Sequence, residues 1–413
     1  GMRQRIGQNF GCTVAASYIG YITQAIVNNF APLLFLTFVD EFGVTLDRLA
    51  ILINMNFGVQ LLVDLISARY VDRIGYRACI VTAHVAAALG LVGMAVLPGL
   101  MADPYAGLLL SAAVYAVGGG LIEVLISPIV EACPTRNKEA VMSLLHSFYC
   151  WGQVAVVLLS TLFFSLAGIH NWRLLACLWA VLPACNAVFF LFVPVRRLVE
   201  EGKGLPVRDL IKQKLFWLFA LLMICSGASE LGMSQWASAF AESGLKVSKT
   251  VGDLAGPCAF AVFMGSARAL YARLADRISL KKGMAASAAL CVCAYLLASL
   301  SPIPALALAG CALCGLSVGI MWPGTFSMAA KAIPKGGTAM FAFLALFGDV
   351  GCNIGPGLVG LASAAEGGNL TKGLLYAVIF PVLLLAGLLA VRRTMRRQGT
   401  GGTQYVDKNG IAG

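Results

Sequence analysis

The sequence predicts an all-α membrane protein with about twelve transmembrane helices in two pseudo-symmetric six-helix bundles. Three observations lead to this fold class. Hydrophobic residues make up 59% of the 413 residues and charged residues only 12%, which is more apolar surface than a soluble chain could bury. Apolar segments long enough to cross a bilayer as helices recur along the whole chain. A charged motif of the first half returns at the corresponding place in the second half.

The apolar segments set the domain boundaries. The predicted spans are 10–39, 48–70, 78–101, 105–132, 139–168 and 174–195, followed by 215–242, 250–274, 283–301, 304–331, 338–364 and 372–391. The sequence therefore divides into a bundle over 1–195, a cytoplasmic linker over 196–214 and a bundle over 215–391. Residues 392–413 begin with arginines and become glycine-rich, so a disordered end is expected from Gly399 onward.

The internal repeat lies directly after the second and eighth predicted spans. Segment 68–74, Ala-Arg-Tyr-Val-Asp-Arg-Ile, returns 204 positions later as segment 272–278, Ala-Arg-Leu-Ala-Asp-Arg-Ile. Secondary transporters are commonly built from repeated halves, with the substrate site at mid-membrane where the halves meet. The repeat therefore predicts a central site shared between the two bundles.

The formal net charge of +11 follows the positive-inside pattern and does not indicate nucleic-acid binding. Most lysines and arginines lie in one set of alternate connections, whereas the opposite set carries only Arg48, Arg173, Lys246, Lys249 and Lys372. With an even number of spans, this pattern predicts that both termini are cytoplasmic and that the lipid bilayer surrounds the protein. The 13 cysteines are scattered through apolar segments with no completing histidine or carboxylate, so no metal site is predicted.

The fourth span contains a single ionisable carboxyl between Pro104 and Glu131, that of Glu123. A charge at mid-bilayer costs roughly a few kcal/mol, so it normally faces a partner or a water-filled cavity. The glycines of 118–120 allow a neighbouring helix to approach closely, and Pro128 is expected to interrupt the helix about one turn later. Glu123 is therefore the predicted proton-coupling residue. The alternative is a protonated carboxyl that only satisfies a neighbouring helix.

The loop after the second span carries a motif of a known family. Ser67, Asp72, Arg73, Gly75 and Arg77 follow the pattern Gly-x4-Asp-Arg/Lys-x-Gly-Arg-Arg/Lys, with serine for the first glycine and tyrosine interrupting the basic pair. Together with the repeat, this motif resembles the major facilitator superfamily over nearly the whole chain. The resemblance implies a gating latch at the cytoplasmic face, formed by Asp72, Arg73, Arg77, Glu131, Asp276 and Arg277. The simpler interpretation is that these charges solvate a tight loop and set orientation.

A narrower resemblance concerns spans four, five and seven. Gly120, Glu123 and Pro128 match a Gly-x-Leu-Glu-x-x-x-Asn-Pro run, His146 stands at the glutamine of a Leu-Ala-Gln-x-Phe motif, and 227–230 is similar to a Gly-Ala-Glu motif. These motifs resemble the fucose permease family of proton-coupled sugar symporters. That family carries an aspartate in its first helix, whereas the matching stretch 27–32 contains no carboxyl. Proton coupling is therefore expected to differ here or to depend on Glu123 alone.

Polar and aromatic residues of the spans form the expected substrate site. Its predicted members are Asn28, Asn29, His146, Gln153, Glu230, Trp236, Trp322 and Asn353. A sugar suits this mixture, because its apolar ring face stacks on aromatic rings and its hydroxyls bind amides, imidazole and carboxylates. Arg268 in span eight needs a carboxylate partner. Asp349 is the preferred partner in a gating ion pair, and Glu230 is the alternative. Trp322-Pro323 is expected to interrupt span ten.

These features predict a secondary transporter of the bacterial inner membrane that acts as a monomer and imports a monosaccharide or similar small polar solute with protons. The sequence contains no phosphate-binding Gly-Lys-Ser/Thr motif and no hydrolase motif, so neither an enzyme nor a cofactor is predicted. Sodium stays open as the coupling ion, because Glu123 and Ser127 offer oxygen ligands. Two alternatives remain: a proton-driven efflux antiporter for cationic or amphipathic compounds, and a non-transporting membrane sensor.

Overall fold

A computed structural model of the chain describes residues 1–136, 138–196, 205–274 and 277–409, without the side chains of 68, 69, 72, 138–140, 143, 337–339 and 400–409. Within these residues all regular structure is helical. Twelve helical segments are long and apolar enough to cross a membrane. The predicted all-α membrane fold with twelve spans is confirmed.

The spanning segments follow the predicted order closely. In the first half they are α1 (Phe10–Phe42), α2 (Leu46–Ile74), α3 (Tyr76–Leu100), α4 (Pro104–Glu131), α5 (Lys138–Ala167) and α6 (Trp172–Phe192). In the second half they are α7 (Lys214–Gly244), α8 (Lys249–Leu274), α9 (Leu280–Leu300), α10 (Pro304–Ala332), α11 (Gly337–Ala365) and α12 (Leu370–Tyr376 followed by Ile379–Asn409). Short helices Met2–Ile6 and Val207–Ile211 precede the two halves. Residues 197–204 of the predicted linker lie outside the described residues.

Three local predictions can be compared with these helices. Helix α10 is interrupted between Val318 and Met321, next to Trp322-Pro323 as predicted. The interruption expected in α4 is wrong, because the helix continues through Pro128, whose carbonyl accepts from the Ala132 amide. A proline removes one backbone donor, and the hydrogen bonds on either side of it can continue the helix. Helix α12 is described as far as Asn409, and the disordered end expected from Gly399 onward remains a prediction.

Small residues allow neighbouring helices to pack closely. Helix α3 contacts α4 and α6, α1 contacts α4, α5 and α6, and α7 contacts α11 and α12. A Cβ atom on Gly118 would meet the backbone of α3 at Ala83, and one on Gly120 would meet Gln60 and Val63 of α2. The predicted close approach at these glycines is therefore present. Across the two halves, α2 contacts α11 and α5 contacts α8.

The connections define two ends of the helix bundle. We call the end with the α2–α3 and α8–α9 connections, where Arg73 and Arg277 lie, the basic face. We call the end with the α1–α2 and α7–α8 connections the opposite face. Large apolar side chains such as Leu89 (61% exposed) and Leu166 (81% exposed) cover the outside of the helices, as a lipid-facing surface requires.

Candidate functional site

A cavity of about 310 Å³ lies between the two halves. Its lining residues are Tyr21, Gln24, Asn28, Phe57, Gln60, Glu123, Ser127, His146, Tyr149, Glu230, Leu231, Arg268, Trp322, Ala345, Asp349 and Cys352. The first half contributes residues from α1, α2, α4 and α5, and the second half from α7, α8, α10 and α11. The structure thus brings four of the predicted substrate residues, Asn28, His146, Glu230 and Trp322, to one cavity with Glu123.

Three carboxyl groups from three helices meet beside this cavity. Asp64 of α2, Glu123 of α4 and Asp349 of α11 each place one oxygen within 4.8 Å of the others, and all three are half-buried. We call this set the carboxyl trio. The Oδ1 atom of Asp64 is buried without a hydrogen-bond partner. Like charges this close repel one another where the dielectric constant is low, so bound protons or a bound cation would stabilise the trio.

Asp64 was not among the residues predicted from the sequence. Asn56, Gln60 and Asp64 follow one another at intervals of four in α2, which places them on one face of the helix. This polar stripe was visible in the sequence but lies within a segment recognised only by its hydropathy. A second and a third carboxyl stand beside Glu123, and the expectation that coupling differs from that of the fucose permease family or depends on Glu123 alone remains a prediction.

An amide network forms the first-half wall of the cavity. The Oδ1 atom of Asn28 accepts from Gln60 Nε2 at 2.8 Å and from Asn56 Nδ2 at 3.2 Å. The Nδ2 group of Asn28 donates to the Tyr149 hydroxyl at 3.0 Å, and Gln60 Nε2 also donates to Asn56 Oδ1 at 2.9 Å. Nearby, the Tyr21 and Ser127 hydroxyls lie 2.8 Å apart. These groups hold one another in place and offer hydroxyl and amide partners to a polar solute.

Arg268 pairs with a different carboxylate from the preferred one. Its Nη2 atom lies 3.7 Å from Glu230 Oε1, its Nε donates to the Gly319 carbonyl at 2.9 Å, and its Nη1 donates to Cys150 Sγ at 3.3 Å. The predicted pairing with Asp349 is wrong, because Asp349 faces the other carboxyls of the trio. The interruption of α10 explains the arginine's orientation, since it leaves the Gly319 carbonyl available as an acceptor.

The other four predicted substrate residues do not line the cavity. Trp236 is fully buried, donates to the Pro356 carbonyl at 2.9 Å and packs against Phe35. Asn29 and Asn353 donate back to carbonyls of their own helices, and Gln153 is buried. Their assignment to the lining is therefore corrected. Adjacent helical residues point about 100° apart, and while Asn28 lines the cavity, Asn29 turns to the Ala25 carbonyl of its own helix.

The described residues of the predicted latch lie at the basic face. Arg77 donates to the carbonyls of Phe190, Leu191 and Val193, at 2.9, 3.2 and 2.7 Å, and so caps the end of α6. Arg73, Glu131 and Arg277 are exposed there. The side chain of Asp72 and the whole of Asp276 lie outside the described residues. The latch remains a prediction.

At the opposite face, hydrogen bonds join the two halves. Lys249 Nζ donates to the Leu33 carbonyl at 2.6 Å, forms an ion pair with Asp253 Oδ2 at 2.9 Å and lies over the Phe164 ring. Closer to the cavity, Gln235 Nε2 donates to the backbone carbonyl of Asn28 at 3.0 Å. These contacts tie α7 and α8 to α1 between the cavity and the opposite face.

Comparison with known sequences identifies the family. A sequence profile described as Major Facilitator Superfamily matches residues 15–356 and 245–405. The chain belongs to this superfamily. It is therefore a multi-pass membrane protein with a transporter fold, and members of the major facilitator superfamily are generally not enzymes. No curated protein matches the chain significantly.

Solved structures of the superfamily share the fold at low sequence identity. A bacterial homologue of the human lysosomal transporter Spinster, in an inward-facing and unoccupied conformation, has a TM-score of 0.75 at 14% identity over 96% of this chain and 98% of that one. A D-xylose-proton symporter has a TM-score of 0.73 at 13% identity, covering 92% and 97%. The E. coli fucose:proton symporter has a TM-score of 0.62 at 16% identity, covering 92% and 98%. These likenesses agree with the family resemblance predicted from the motifs.

Proposed function

We propose that this protein is a proton-coupled transporter that imports a monosaccharide or similar small polar solute by alternating access. The observation that carries the proposal is the carboxyl trio, because it joins both halves of the molecule at the wall of the central cavity. Asp64 and Glu123 belong to the first half and Asp349 to the second, so rocking of the halves would change the distance between these charges. A proton bound here would then be linked to the conformation of the whole molecule.

The coupling step follows from electrostatics. While the three carboxyls are close, bound protons remove the repulsion between them. When α2 and α11 separate, water reaches the groups and each carboxyl can ionise independently. Glu123 is the residue we assign to proton binding, since it both lines the cavity and belongs to the trio. A sodium ion could serve in the same position, because carboxylate oxygens are its usual ligands.

The rest of the cavity suits a small polar solute. A volume of about 310 Å³ is at the lower end of the range for small-molecule sites. Asn28, Gln60, Tyr149 and His146 offer hydrogen-bond donors and acceptors, and Trp322 offers an aromatic face. This combination supports recognition of hydroxyl groups on a ring.

The contacts around Lys249 close the opposite face, so we infer that this structure is open toward the basic face. By the positive-inside pattern the basic face is cytoplasmic, and the structure is then inward-open. We propose that the protein works as a monomer in the bacterial inner membrane with both termini cytoplasmic.

The test is uptake into proteoliposomes with an imposed pH gradient. In Glu123→Gln we expect concentrative uptake to be lost, while exchange of preloaded substrate continues because it needs no net proton movement. Glu366→Gln is the matched control, since Glu366 pairs with Lys372 at the opposite face away from the cavity. Intact, pH-dependent concentrative uptake in Glu123→Gln would refute the assignment.

A proton-driven efflux antiporter is the second candidate. One observation favours it: Glu123, Glu230 and Asp349 line the cavity against one arginine, Arg268, so the cavity could attract a cation. The same vesicles distinguish the two functions. A symporter moves the solute in the direction of proton flow, whereas an antiporter moves it in the opposite direction. Replacing the proton gradient by a sodium gradient tests the coupling ion.

A further inference from the structure

A second cavity, of about 510 Å³, lies at the basic face between α9, α10 and α12 and shares no lining residue with the central cavity. Lys281 and Lys282 of α9 and Arg392 and Arg396 of α12 line it. No Asp or Glu is among its lining residues in the described part of the chain. The described lining of this cavity therefore carries four cationic side chains and no acidic one.

Apart from Ser279, the remaining wall of the cavity is apolar. Met328 of α10 and Leu385, Leu388 and Leu389 of α12 line it. Along α12 the leucines precede the arginines and lie deeper in the membrane, with roughly 16 Å of helix between Leu385 and Arg396. Leu389 is 59% exposed, so the cavity is continuous with the lipid-facing surface.

This order of charges and apolar groups matches one class of ligand. We propose that the groove binds an anionic diacyl phospholipid, with its phosphate among Lys281, Lys282, Arg392 and Arg396 and an acyl chain along the α12 leucines. Arginine and lysine both bind phosphate oxygens, and basic pockets between membrane helices bind anionic headgroups. Ser279 also lines the groove and precedes the first turn of α9, whose backbone amides have no partner within the helix.

The positive-inside pattern alone does not account for this arrangement. That pattern requires cations near the cytoplasmic surface but does not require them to surround a cavity. Arg393 and Arg397 lie on the same turns of α12 as Arg392 and Arg396 but do not line the groove. Substituting one pair or the other therefore distinguishes lipid binding in the groove from attraction to the general positive charge of this face.

The experiment measures lipid binding to the full chain in detergent by native mass spectrometry, with phosphatidylglycerol and phosphatidylcholine as probes. We expect the wild-type protein to bind the first phosphatidylglycerol roughly tenfold more tightly than phosphatidylcholine. The double variant Arg392→Gln/Arg396→Gln should lose this preference, and the matched control Arg393→Gln/Arg397→Gln should keep it. Equal effects of the two double variants, or no preference in the wild-type protein, would overturn the proposal.

Two further arms complete the test. Inorganic phosphate at millimolar concentration should leave phosphatidylglycerol bound, because it lacks the acyl chains; displacement would mean a free-phosphate site instead. If Arg392→Gln/Arg396→Gln does not fold, Lys281→Gln/Lys282→Gln removes the same amount of charge from α9 and should lose the preference in the same way. Unchanged preference in that variant contradicts the proposal. The result does not depend on the transported substrate.

Discussion

Two clusters of charged residues face the same central cavity, and they differ in charge balance. Arg268 and Glu230 form a pair in which one cation meets one carboxylate. The carboxyl trio brings three acids together, and no lysine or arginine pairs with any of them among the described ion pairs. A balanced pair is complete without any ligand, whereas a bound positive charge would stabilise three neighbouring carboxyls. This difference in charge balance is the basis of the coupling role proposed for the trio and of the structural role expected for the pair.

The largest effect is expected from breaking the balanced pair. Arg268→Gln leaves the Glu230 carboxylate without its cation in a half-buried position, at a cost on the order of 2 kcal/mol in the free energy of unfolding. Thermal unfolding of the purified protein measures this loss. Arg273→Gln, an exposed arginine of the same helix, is the control and should leave the unfolding temperature unchanged.

The double variant Arg268→Gln/Glu230→Gln sharpens this prediction. Since it removes both charges, it should recover at least part of the stability lost in Arg268→Gln. If the single variant is as stable as Arg273→Gln, or if the second substitution adds a further loss, the pair is not the structural contact described here.

A smaller effect is expected at a second ion pair, that of Lys249 and Asp253. Lys249→Gln removes a charge-assisted hydrogen bond to Leu33 across the two halves, so the opposite face should open more often, by roughly tenfold. Hydrogen–deuterium exchange of peptides covering 31–36 and 249–253 should increase accordingly. Lys372→Gln carries the same charge change at the same face but breaks a contact within one half. Equal exchange in the two variants would argue against a closing role for Lys249.

The smallest effect, with the opposite sign, is expected within the trio. Asp64→Asn removes one of three repelling acids and leaves an amide that can donate to its neighbours, so stability should be kept or should rise by less than about 1 kcal/mol. Asp253→Asn is the same substitution at a carboxylate with a cation and a serine donor, and it should destabilise. Thermal unfolding compares the two directly. A loss in Asp64→Asn as large as in Asp253→Asn would mean that Asp64 is a paired structural residue.

Much of the fold could be predicted from single segments. The twelve spans, the interruption near Trp322-Pro323 and the close packing at Gly118 to Gly120 depend on hydropathy and residue size, which are local properties. The position of Glu123 at a cavity could be predicted for a similar reason. A carboxyl in an apolar span has few stable surroundings, and a polar cavity is one of them.

The partners of individual side chains were harder to predict. Asp349 was the preferred partner for Arg268 and Glu230 the alternative, but in the structure Arg268 pairs with Glu230. Trp236 was predicted to bind substrate because of its aromatic ring, but its side chain points into the core and donates to the Pro356 carbonyl. Asp64 was overlooked because its helix was recognised as a span without regard to which face carries its polar residues.

The sequence by itself determined how many times this protein crosses the membrane, where each crossing begins and that at least one acid lies within it. The tertiary structure alone decided that acids from α2, α4 and α11 meet at one point, and that the arginine of α8 turns away from them. The physical reason is the number of separate segments on which each property depends. Burying an apolar segment depends on that segment alone, whereas a meeting of three carboxyls depends on the rotation and depth of three separate helices.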